Sequence, residues 1–114
     1  VDGSGAVVCW GDDTGGFNDQ GQVTETPTSG NWASVSADFY HSCALDMAGS
    51  MDCWGIDGDP TYDFGQMTGA PAGMWAEVVA GHFHSCALDI ADDLTCWGIQ
   101  DGSPADRGQV TETP

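Results

Sequence analysis

Two histidines and four cysteines repeat a single spacing. His41 lies two residues before Cys43, with Cys53 following, and His84, Cys86 and Cys96 are spaced in the same way. Imidazole and thiolate are soft metal ligands, so each set could hold zinc. A structural zinc site needs four ligands, however, and this spacing supplies three. The same cysteines could close a disulfide within each set or remain free buried thiols. Regular pairing in a small, glycine-rich, acidic chain favours the disulfide and an oxidising compartment. Cys9 matches Cys53 and Cys96 in its context, Cys9-Trp10-Gly11, but has no cysteine at the matching upstream position. It is expected to be unpaired within the chain, either because the chain is a window on a longer array or because another chain supplies the partner strand.

Catalysis by these histidines is disfavoured. No nucleophile or carboxylate recurs beside both at a useful spacing. Ser42 and Ser85 adjoin His41 and His84, so on a strand they point to the opposite face, which argues against a serine–histidine pair. A buried imidazole bonded to backbone is the expected role of both. His82 has no counterpart in the earlier copy and is expected at the surface.

The other oxygen-bearing groups lie in acidic loops. Asp57, Asp59 and Asp63 are a tentative calcium set, with Asp12, Asp13 and Asp19 the next candidates, because calcium takes several oxygens from flexible loops. None of these loops fits an EF-hand, and aspartates that cap turns explain them more simply. The expectation is therefore no cofactor, with calcium as the tentative exception. Thr24, Thr26 and Thr28 flank Pro27 and are tentative O-glycosylation positions; no Asn-x-Ser/Thr sequon occurs.

The elements that must position these groups are repeats. Cys9, Cys53 and Cys96, then Gly21, Gly65 and Gly108, recur at a period of about 43 residues, as do Trp32 and Trp75. Residues 1–27 match only the second half of a repeat, and residues 28–71 and 72–114 are complete copies. Within the last copy, short runs of β-branched and aromatic residues between turn signals predict four strands: Trp75 to Gly81, His84 to Leu88, Leu94 to Trp97, and Gly108 to Thr111. Ala6-Val7-Val8 is a strand-like run in the partial copy. A turn centred on Ala48 sets Cys43 opposite Cys53, Leu45 opposite Met51 and His41 opposite Gly55. His, Cys and Leu then share one face, and Trp54 and Ala44 share the other. Directly opposed cysteines are close enough to bond, and such a link contributes roughly 3 kcal/mol on the chain-entropy model. The recurrent tryptophans Trp10, Trp54 and Trp97, with Trp32 and Trp75, are what packing of one repeat on the next demands.

Composition narrows the partners. Eighteen acidic residues face one base, Arg107, for a net charge of −17 in 114 residues. Such a surface repels nucleic acid and anionic membranes. No apolar run is long enough to span a bilayer, so membrane insertion is not expected.

The pattern Trp75-x-x-Val78-x-Ala80-Gly81, His84-Ser85-Cys86-Ala87-Leu88, Cys96-Trp97-Gly98, Gly108-Gln109 resembles the repeats of the regulator of chromosome condensation family, most closely secreted bacterial versions with paired cysteines. The resemblance implies an all-β chain of β-propeller-type blades, each of four short antiparallel strands, forming an incomplete ring or an open array. Members of that family have varied functions, and no catalytic set is implied. The expected protein is a non-catalytic extracellular or cell-surface repeat module for a surface array or fibre, with an acidic interaction surface and copies of itself or neighbouring blades as partners. Gly21–Pro27 is identical to Gly108–Pro114, which favours assembly. The alternative is a soluble secreted propeller that binds a protein or a carbohydrate.

Overall fold

The computed structural model describes every residue except Thr113. Its regular structure is all strand. β1 (Trp32–Ala37), β2 (His41–Asp46) and β3 (Met51–Gly55) form one antiparallel sheet in that order, and β4 (Trp75–Ala80), β5 (His84–Asp89) and β6 (Leu94–Gly98) form a second. Both sheets share a register. Cys43 faces Cys53 and His41 faces Gly55, just as Cys86 faces Cys96 and His84 faces Gly98. Each first strand carries a bulge just after its tryptophan.

The hairpin turns account for this register. The Asp46 carboxylate accepts the backbone N–H groups of Ala48 (2.8 Å) and Ser50 (2.9 Å), and Asp89 does the same for Ala91 (2.7 Å) and Asp93 (3.0 Å). An aspartate that binds its own downstream amides closes a turn of one length, and turn length sets the pairing. Asp2 makes a third such turn with Ser4 (2.8 Å) and Ala6 (3.0 Å). The partial repeat thus begins at the hairpin turn.

At the other end of each hairpin, glycine is obligatory. Gly55 has φ +118°, and a Cβ there would lie 2.5 Å from the Tyr40 carbonyl oxygen; Gly98 has φ +115° and stands equally close to Phe83.

Two expectations about strands are corrected. The sheets have three strands, not four. Gly108 to Thr111 is a turn in which the Glu112 N–H reaches the Gly108 carbonyl (2.8 Å), and Gly21 to Glu25 (2.9 Å) and Gly65 to Gly69 (2.8 Å) repeat it. The backbone groups are satisfied locally, so no ladder forms. Ala6-Val7-Val8 is also not a strand. No described strand lies beside it, and an extended segment without a ladder partner is not a sheet.

The two sheets stack. Cys43 and Leu45 on one face of the first sheet pack against Trp75, Val78, Ala87 and Trp97 of the second, with Met51 and Cys53 beside them. On the other face, Ala44, Trp54 and Trp32 pack against Val7 and Cys9 of the amino-terminal segment. Because β2 is covered on both sides, its first five residues are all buried. β5 is covered on one side only, so Ser85 and Ala87 are buried while His84, Cys86 and Leu88 are half-buried.

Candidate functional site

Three regions concentrate the polar and aromatic chemistry: the seam between the sheets, the loop end above it, and the side where the amino-terminal segment lies.

The seam is built on His41 and Ser85. His41 leaves β2 on the face that meets the second sheet. Ser85 leaves β5 on the face that meets the first. Their Nε2 and Oγ atoms are 2.7 Å apart, and both residues have no exposed surface. The Ser85 hydroxyl donates onward to the Gln66 carbonyl at 3.5 Å, and the Trp97 indole N–H donates to the same oxygen at 2.8 Å. This order assigns the tautomer. If Nε2 carries the hydrogen and donates to Ser85 Oγ, the serine proton is free for Gln66, and only the Nδ1 acceptor is left unpartnered. Burial lowers the His41 pKa from 6.5 to about 4; the Asp38 carboxylate pulls it back up in part, and His84 lowers it slightly. His84 is shifted down by the same cause. Although serine and histidine meet here, no substrate can reach a pair without exposed surface. The arrangement is a polar staple.

The pairing corrects the expectation that His41 bonds to backbone. Its own neighbour Ser42 does point away, as strand geometry demands, but the serine of the next repeat occupies the position. The recurrence of His-Ser in both copies was the available signal. It needed the further inference that opposite faces of successive repeats meet.

The disulfides flank this staple. Cys43 is bonded to Cys53 and Cys86 to Cys96, each with a Cα–Cα distance of 4.0 Å. Cys9 is a free, half-buried thiol. The tryptophans divide. Trp54, Trp75 and Trp97 are buried and Trp32 is half-buried, but Trp10 is 85% exposed, against the expectation that all five pack. Trp54 rests on Val7 and Trp97 on the first sheet, whereas Trp10 belongs to neither buried cluster.

The loop end carries an aromatic array that sequence reasoning missed. The loop between β1 and β2, the loop between β4 and β5, and the loop after β3 all emerge at one end of the stacked sheets. Phe39 stacks on His82 (5.0 Å), Tyr40 on Tyr62 (5.0 Å), and Tyr62 on Phe83 (6.2 Å), while Phe17 meets Tyr62 edge-on (5.9 Å). Phe39, Phe17 and His82 are exposed, so His82 lies at the surface but within a stack. These residues recur in type only in part, and for that reason a search for repeats passes over them.

The aspartates nearby hold the loops. Asp63 accepts the Gly58 (2.6 Å) and Gly65 (2.9 Å) amides through its two oxygens, and Asp59 accepts Thr61 (2.8 Å) and Tyr62 (2.9 Å). Asp19 and Asp106 repeat the role of Asp63 in the other loops, from Gly15 to Gly21 and from Gly102 to Gly108. Asp57 stays in the same loop. Among the described residues no group of three or more His, Cys, Asp or Glu side chains is arranged to hold a metal ion. Of the tentative glycosylation positions, Thr24 is exposed, Thr26 donates to the Val23 carbonyl (2.7 Å) and Thr28 is exposed.

No protein-family model matches the chain, and no curated protein matches it. Solved structures do. The ectodomain of the Physcomitrella patens receptor kinase CR4 is similar at a TM-score of 0.61 and 29% identity, over 92% of this chain and 27% of that one. The CRINKLY WD40 ectodomain of the Arabidopsis thaliana receptor kinase ACR4 is similar at 0.64 and 24%, over 85% and 31%. The carboxy-terminal domain of gp131 from bacteriophage phiKZ is similar at 0.53 and 22%, over 64% and 19%. The chain therefore spans no more than 31% of the length of any of these neighbours. The fold is all-β and propeller-like. None of the three is described as a regulator of chromosome condensation protein.

Proposed function

We propose that the chain is a non-catalytic, extracellular repeat module. Its copies are propeller-type blades with a period of about 43 residues, like those of the regulator of chromosome condensation family, and its work is assembly. One observation carries this reading. The His84, Cys86 and Leu88 face of β5 is half-open, and it is residue for residue the same as the His41, Cys43 and Leu45 face that the second sheet covers. A face already built to receive a blade favours another blade, from a neighbouring repeat or a second copy, as its partner. Two disulfides and likeness to ectodomains support an extracellular or cell-surface setting. The net charge of −17 disfavours nucleic acid as a partner.

Light scattering on the oxidised protein over a concentration series tests the reading. Growth of oligomers that Leu88→Glu abolishes supports it, and a monomer at every concentration contradicts it.

The second reading, a soluble propeller that binds a protein or a carbohydrate, is favoured by the aromatic array. Exposed Phe39, His82 and Phe17, lying beside the aspartate-rich loops, suit stacking on a sugar or a cationic side chain. Binding on a glycan or peptide array that Phe39→Ala removes, in a protein that stays monomeric, would favour it over assembly.

A further inference from the structure

The loops after Trp10 and after β3 meet at the loop end, and part of what they bring there does not recur. Asp63 has counterparts in Asp19 and Asp106. Tyr62, however, stands where the other loops have Asn18 and Ala105, and Asp59 where they have Gly15 and Gly102. Phe17 stands where they have Thr61 and Pro104. Packing of repeat on repeat calls for residues that recur, so these three have another use. Phe17 meets Tyr62 edge-on (5.9 Å), and Tyr62 lies nearly flat against Tyr40 (5.0 Å) and Phe83 (6.2 Å). Phe17 is 70% exposed. Thr61, at the same position in the middle copy, is exposed as well, so exposure there belongs to the repeat itself.

The polar groups left free beside these rings are acceptors. Gln22 spends its amide N–H groups on the Asn18 (2.7 Å) and Phe39 (3.2 Å) carbonyls, and Gln66 spends its own on the Tyr62 carbonyl (2.8 Å). Asp59 uses Oδ1 for the Thr61 and Tyr62 amides, and its Oδ2 has no hydrogen bond among the described residues. Tyr40 is 5% exposed, yet its hydroxyl makes no hydrogen bond among the described residues. Burial holds that phenol above its ordinary range, and Tyr62 and then the Asp59 carboxylate push it the same way, so Asp59 stands close to it. A sugar needs donors as well as acceptors around a stacking ring. A cation needs acceptors alone, and a chain with a net charge of −17 favours one.

We propose that the Phe17–Tyr62 corner of the loop end takes an arginine side chain from a partner protein, with its guanidinium against the two rings and its N–H groups donated to Asp59 Oδ2 and the Tyr40 hydroxyl. Guanidinium is flat enough to lie on a ring and carries donors at its rim, which an ammonium on a flexible stem does not match. Bonded to a carboxylate at the same time, it gains a charge-assisted hydrogen bond. This inference rests on the second reading, a binding module, and names its partner chemistry.

The probes are the peptide acetyl-Gly-Gly-Arg-Gly-Gly-amide and two analogues, one with citrulline, the uncharged isostere, and one with lysine. Each is titrated into the oxidised protein and followed by NMR shifts of the Phe17 and Tyr62 rings. Salt is held at about 150 mM to screen distant charge. The arginine peptide is expected to move both rings and to bind roughly ten-fold more tightly than either analogue. Phe17→Ala and Asp59→Asn should each weaken it roughly ten-fold. Asparagine keeps an oxygen for the Thr61 and Tyr62 amides, so the loop is retained while the charge is lost. Asp92→Asn removes the same charge at the opposite, hairpin end, where φ is +67°, a value asparagine tolerates, and should weaken binding by less than about two-fold. Citrulline or lysine bound as tightly as arginine, equal losses in Asp59→Asn and Asp92→Asn, or no shift at either ring would overturn the proposal. A glycan that binds at these rings where the arginine peptide does not overturns this inference and leaves the binding reading standing; if no peptide or glycan binds, both fall.

Discussion

His41 Nε2 and Ser85 Oγ stand 2.7 Å apart between two sheets, and the two residues, 44 apart in sequence, join successive repeats. Each strand of the His-Ser-Cys-Ala-Leu type offers a histidine to one side and a serine to the other. Ser42 lines an open cleft beside the amino-terminal segment, and His84 is half-buried on the open face of β5. The staple is therefore directional: a histidine looks forward along the stack and a serine looks back.

The two serines differ in consequence. Ser85→Ala leaves the buried Nε2 without a partner and is expected to destabilise the fold by about 1–3 kcal/mol. Ser42→Ala removes a hydroxyl that has no side-chain hydrogen bond among the described residues and should change stability by less than about 0.5 kcal/mol. Chemical denaturation of both variants checks this, and equal losses would refute the staple.

Stability should fall with acid through His41. Its pKa is lowered in the folded state from 6.5 to about 4. Between those values the unfolded chain binds more protons than the folded one, so the contribution is complete above the unfolded value and is lost as pH falls toward the folded one. The stability difference between the parent and His41→Asn should shrink by on the order of 3 kcal/mol from neutral pH to about pH 4. Using the difference cancels the titration of the shared carboxylates. A pH-independent difference would exclude this account.

Gly55→Ala should cost at least about 2 kcal/mol, because the added Cβ meets the Tyr40 carbonyl at 2.5 Å and the backbone holds φ +118°. Gly58→Ala also meets a positive φ, +79°, but nothing lies within 4 Å, so its cost should be nearer 1 kcal/mol. Thermal unfolding of the pair separates steric from conformational strain.

Trp10 and Trp97 should report opposite surroundings. Trp97 is 6% exposed and its indole N–H is bonded to the Gln66 carbonyl; Trp10 is 85% exposed. Trp97→Phe is expected to destabilise by about 1–3 kcal/mol, and Trp10→Phe by less than about 0.5 kcal/mol. Acrylamide quenching should be lost selectively in the Trp10 variant.

Local patterning determined the hairpins. An aspartate that binds its own amides, a turn of constant length and an obligatory glycine act within a dozen residues, so the facing of Cys43 to Cys53 and of Leu45 to Met51 was legible before any packing was known. The division of each strand into a His-Cys-Leu face and a Trp-Ala face was equally legible, because side chains alternate. Tertiary structure decided what each face meets. Whether a strand run such as Ala6 to Val8 pairs, whether Trp10 is covered as Trp54 is, and which serine receives His41 depend on how one sheet is set against the next. The loop-end aromatic array was likewise invisible, since Phe39, Tyr62 and Phe83 are neighbours only once three loops converge. Periodicity reports what recurs along the chain. Burial, hydrogen-bond partners and clefts are fixed by the rigid placement of successive repeats, and a sequence period carries the length of that step without its direction.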